Sequence, residues 1–78
     1  MAVLKVPSTM GKIEINLDDA KLTQFEQFYY PLTNHTADMF FASFSKELKN
    51  RILQSQDVKE IESLYQEGLN HYLSLIHG

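Results

Sequence analysis

A chain of 78 residues with a formal net charge of −3 makes one domain, and at this size only about 60% of the unfolded surface is buried on folding. It contains no cysteine, which excludes disulfide staples, thiolate metal sites and cysteine nucleophiles and leaves oligomerisation as the expected source of added stability. Aromatic residues at 12% and hydrophobic ones at 44% exclude intrinsic disorder, and the acidic balance disfavours a protein dedicated to nucleic acid.

Residues 1–11 open with the apolar run Ala2, Val3, Leu4 and Val6, broken by Lys5 and stopped by Pro7. The run is shorter than the roughly 7–15-residue core of a signal peptide, so a cytoplasmic protein is expected. It reads as an N-terminal arm, or as an edge strand that Pro7 weakens. The stretch GKIEINLDD, residues 11–19, then alternates apolar Ile13, Ile15 and Leu17 with polar Lys12, Glu14 and Asn16, which predicts a strand over 12–17. A lone strand needs a partner for its backbone groups.

Asp18 and Asp19 next offer a helix cap and a carboxylate at the positive end of a helix dipole. The helix they open, over 19–30, carries Leu22, Phe25, Phe28 and Tyr29 and stops before Pro31. Cap-forming residues Asn34 and Thr36 predict a second helix over 36–54, with Phe40, Phe41, Phe44, Leu48 and Ile52 on one stripe. A break at Ser55, Gln56 and Asp57 leads into a third helix over 57–77, with a broad apolar set including Ile61, Leu64, Tyr65, Leu69 and Tyr72. No segment reaches the roughly 20 apolar residues of a membrane span. Residues 1–56 balance six basic against six acidic groups, whereas 57–78 set Lys59 against Asp57, Glu60, Glu62 and Glu67, a net of −3. Two surfaces with different partners are expected from that asymmetry.

The 40 residues KIEINLDDAKLTQFEQFYYPLTNHTADMFFASFSKELKNR, an alternating strand, an acidic-capped helix, a polar turn and an aromatic second helix, resemble a ribbon-helix-helix domain. This is the Arc/MetJ type shared by small repressors and RelB/DinJ-like antitoxins. The resemblance implies a mostly α chain with one N-terminal β-strand, in which two copies pair their strands into an antiparallel ribbon and form a homodimer. Its divisions would be an arm over 1–11, the ribbon-helix-helix domain over 12–54 and an acidic amphipathic helix over 57–78. It implies further that Lys12, Glu14 and Asn16 read bases in operator DNA. Asn34, His35 and Thr36 would hold a phosphate at the start of the second helix. Glu14 departs from the pattern, since a carboxylate accepts from cytosine but repels phosphates. In the antitoxin branch a segment after the second helix wraps a basic toxin, and Ile61, Leu64, Tyr65 and Tyr72 would form that apolar contact. The alternative role for this helix is to cover the core of the dimer.

No catalytic residue, metal or cofactor is expected. The serines lack a nucleophile elbow, the three glycines form no phosphate-cradling loop, and His71 and His77 lie about 240° apart around a helix at 3.6 residues per turn. Lys46, Lys49 and Arg51 complement a helix C-terminus. Gly68 inside the third helix suggests a close approach of another element. The expected function is a DNA-binding transcriptional repressor or antitoxin. Its rival is a small protein-interaction module or inhibitor with no DNA role, which net acidity and Glu14 favour.

Overall fold

The computed structural model describes residues 2–77, without the side chains of Ala2 and His77; the outermost residues of the expected arm and of the C-terminal helix, Met1 and Gly78, lie outside it. It contains a two-stranded antiparallel sheet and four helices, and is mostly helical.

The strand of the 12–17 pattern, β2 (Gly11–Leu17), finds its partner within the chain. Residues expected as an arm form β1 (Ala2–Ser8), which pairs with it in the register Val6 to Ile13 and Leu4 to Ile15. Ser8 organises the connecting turn: its hydroxyl donates to Gly11 O at 2.6 Å and accepts from Met10 N at 3.1 Å. Thr9 and Met10 keep negative φ while Gly11 takes +88°, a conformation that glycine adopts without steric cost. Pro7 is compatible with the ladder because alternate N–H groups of β1 face outward, as Lys5 N–H does in donating to Asn34 Oδ1 at 3.2 Å.

Both sheet edges carry side-chain partners. On β1, Pro7 has no N–H and its carbonyl accepts from the Tyr65 hydroxyl at 3.0 Å. Beyond β2, Asn16 N–H donates to Glu62 Oε2 at 2.8 Å and Asp18 N–H to Gln66 Oε1 at 3.1 Å. Glu62 and Gln66 belong to α4 (Val58–His77), whose 20 residues make about 30 Å of helix and account for the longest dimension of the molecule, 31 Å.

Asp18 caps α1 (Asp19–Phe28), its carboxylate accepting from Lys21 N–H at 3.1 Å. The stripe read as one helix over 36–54 is two: α2 (Ala37–Ala42) and α3 (Lys46–Gln54). Ser45 causes the break, because its extended backbone ends the first helix while its hydroxyl caps the second by accepting from Leu48 N–H at 3.2 Å. Leu4, Val6, Ile15 and Leu17 from the inner face of the hairpin pack with Leu22, Phe25, Phe40, Phe44, Ile52, Ile61, Leu64, Tyr65, Leu69 and Leu73 into one core. At its centre Phe25, Phe40, Phe44, Tyr65 and Tyr72 meet mainly edge to face, at centroid distances of 4.7–6.2 Å that suit the ring quadrupole. The accessible surface of 4841 Å² equals the about 4,850 Å² of a folded monomer of this mass. The single chain therefore buries as much of itself as an ordinary monomer does.

Candidate functional site

Lys12, Glu14 and Asn16 share the exposed face of β2, beside Val3, Lys5 and Pro7 of β1. Their charges are locally matched. Lys5 stands opposite Glu14 in the register, and Lys12 Nζ lies 2.8 Å from Asp38 Oδ1 on α2. The face therefore bears no net basic patch of the kind that tracks a phosphate backbone.

Asn34, His35 and Thr36 form the turn before α2, and the structure brings Asn34 to the hairpin through its bond from Lys5 N–H. Thr36 is occupied locally: its hydroxyl accepts from Thr33 N–H at 2.8 Å and donates to Pro31 O at 2.9 Å, while His35 N–H donates to Thr33 Oγ1. The hydroxyl of Thr36 makes no cap bond to α2.

Of the residues expected to contact a partner, Ile61, Leu64 and Tyr65 are buried in the protein's own core, and Tyr72 is half-buried. In the single chain this helix covers the core, and its broad apolar stripe is needed because α1, β2 and α3 all pack on it. Burial pushes the Tyr65 phenol above its ordinary value, and the Asp38 carboxylate adds to the effect. The hydroxyl thus stays a neutral donor to Pro7 O.

A concave feature of the surface lies elsewhere, between α3 and α4. Because the chain breaks at Ser43 and Ser45, Phe44 turns inward and its ring lies against Gly68, where any Cβ would come within 2.5 Å of Cε1. The close approach expected from a glycine in this helix is this one. Beside it opens a cleft of about 280 Å³, floored by Phe44, Leu48, Gly68 and Tyr72. Its rim carries Glu47 and Arg51 from α3 and Glu67 and His71 from α4. Arg51 Nη1 and Glu67 Oε2 lie 3.5 Å apart, linking the helices across the opening, and both side chains are more than half exposed. The side chains of Glu47 and His71 make no hydrogen bond or ion pair among the described residues.

Sequence reasoning attached none of these residues to a site except Tyr72. Arg51 reads as a dipole-complementing charge, and Glu67 and His71, one turn apart, as a surface pair; the partner Glu67 takes is Arg51. The sequence signal that pointed here was Gly68. Comparison with protein-family models, with curated proteins and with solved structures returned no match. Among the described residues no helix is long and apolar enough to cross a membrane.

Proposed function

We propose that this protein is a protein-interaction module that acts through the α3–α4 cleft. The observation that carries the reading is the cleft itself, an aromatic floor inside an ionic rim, the composition that protein contacts favour: apolar and aromatic at the centre, polar around it. Two further features agree with it. The exposed face of the hairpin has its cations matched by acids, and the segment that forms α4 holds the net negative charge of the chain.

Panning a random peptide library against the folded protein tests the reading without a partner in hand. A consensus peptide that binds and that shifts backbone amides of the α3–α4 cleft supports it. No enrichment overturns it.

A second reading is the operator-binding ribbon-helix-helix homodimer, as repressor or antitoxin. What favours it is that Lys12, Glu14 and Asn16 share the solvent face of a two-stranded antiparallel ribbon, an element that enters the major groove in such proteins. In that homodimer β2 pairs with β2 of a second copy, and Asn16 N–H exchanges Glu62 for the ladder. Mass by light scattering and duplex binding at two salt concentrations test it: a dimer whose DNA affinity falls steeply with salt supports it, and a monomer without DNA affinity rejects it.

A further inference from the structure

Resting on the interaction-module reading, we infer that the α3–α4 cleft takes a single arginine side chain from a basic polypeptide partner. Size is the first argument. At about 280 Å³ the cleft falls just below the roughly 300–1,000 Å³ of small-molecule sites, which suits one long side chain. Phe44, Leu48 and Tyr72 offer apolar surface for an aliphatic stem, and the ring faces suit a guanidinium more than an ammonium, because the planar group stacks.

The second argument is charge. Among the described residues the Glu47 side chain lines the cleft without a partner, and Glu67 is held only by Arg51, at 3.5 Å, well beyond the about 2.7–2.9 Å of a charge-assisted hydrogen bond. Arg51 is itself a guanidinium at the edge of the cleft. It occupies in cis the carboxylate that an incoming arginine takes in trans, so binding exchanges one guanidinium–carboxylate pair for a better-shielded one and engages Glu47 as well. The charged side chains that line the cleft are Glu47 and Glu67 against Arg51, a net of −1, which favours a cationic side chain over an anionic one.

The experiment is a titration of the ¹⁵N-labelled full chain with a capped Ala-Arg-Ala peptide, and with the same peptide carrying citrulline, the uncharged isostere, in place of arginine. Saturable shifts at Leu48, Glu67, Gly68 and His71 are expected with arginine, and affinity about tenfold lower with citrulline, the loss of one charge-assisted contact. Glu47→Gln and Glu67→Gln weaken the arginine peptide, whereas Arg51→Ala strengthens it by removing the competing cation.

Absence of saturable shifts in the cleft, equal binding of citrulline, or weakening by Arg51→Ala overturns the inference. Failure here is separable from failure of the broader reading. A panned consensus without a basic residue that still shifts the cleft removes the arginine site and leaves the interaction module. A library that yields no binding peptide removes the module itself.

Discussion

Gly68→Ala tests the junction on which the cleft is built. In an exposed helix interior this change stabilises by about 1 kcal/mol, because alanine loses less backbone entropy on folding. At Gly68 the added carbon would stand 2.5 Å from Phe44 Cε1 and 2.6 Å from Cζ, about 1 Å inside the range of good carbon–carbon contact. The ring has little room to retreat, since Phe40 and Tyr65 hold it at centroid distances of 4.7 and 5.4 Å. Overpacking of this kind costs about 1–3 kcal/mol, and set against the helix gain it leaves a net loss of about 0–2 kcal/mol. For a domain of this size each kcal/mol lowers the melting temperature by about 4–8 °C. Urea unfolding followed by circular dichroism gives the free energy directly. Phe44→Leu in the same chain should recover part of the loss, with a coupling of about 1 kcal/mol between the two positions. A Gly68→Ala protein more stable than the parent would refute the reasoning, because it would mean that the ring does not rest on the helix backbone.

Four other outcomes are expected. Tyr65→Phe leaves the Pro7 carbonyl without its donor and should cost about 1–2 kcal/mol in the same unfolding assay. Tyr65 has a folded pKa raised above its ordinary 10.0, so its contribution is present in full below pH 10 and is lost above it as the unfolded chain ionises first. Stability should then fall by about 1.4 kcal/mol per pH unit from this group, a slope that Tyr65→Phe removes. Ser45→Ala deletes the cap that starts α3 and should cost about 1 kcal/mol, with loss of amide-exchange protection at Leu48. Lys12→Ala breaks an ion pair whose side chains are half or more exposed and should change stability by less than about 1 kcal/mol, shrinking further in high salt.

Periodicity made β2, α1 and α4 readable, because each carries its apolar residues at one uninterrupted spacing, and Asp18 marked the helix start that it caps. β1 was harder to read: Lys5 and Pro7 interrupt it, and Thr9-Met10 has none of the Asn-Gly or Asp-Gly signal of a two-residue hairpin turn. The break between α2 and α3 is hidden for a different reason. Phe40, Phe44, Leu48 and Ile52 follow one another at four-residue intervals straight through it, so the helical stripe continues in phase where the helix does not. The local sign was Ser45 with Glu47 in the first turn after it, a start signal inside an apparent helix interior. The cleft depends on Phe44 meeting Gly68 across the fold, a long-range contact that no local pattern encodes.

The charge asymmetry of the sequence acquires a structural meaning once α4 is in place. Its half-buried Glu62 is committed to the fold, where it holds the outer edge of β2 and occupies an N–H that a second strand would use. Glu67, on the exposed rim, holds only a long and solvated ion pair, and Glu47 across the cleft holds none among the described residues. Acidic side chains of one segment thus divide between closing the sheet and leaving a carboxylate open to exchange. The first use lowers the tendency of the strands to pair with other chains, while the second leaves affinity for a cation available at small cost to stability, since an exposed pair of this length contributes at most about 1 kcal/mol. The proposed side-chain capture draws on the second use, whereas pairing of β2 with another strand would first have to displace Glu62 from Asn16 N–H.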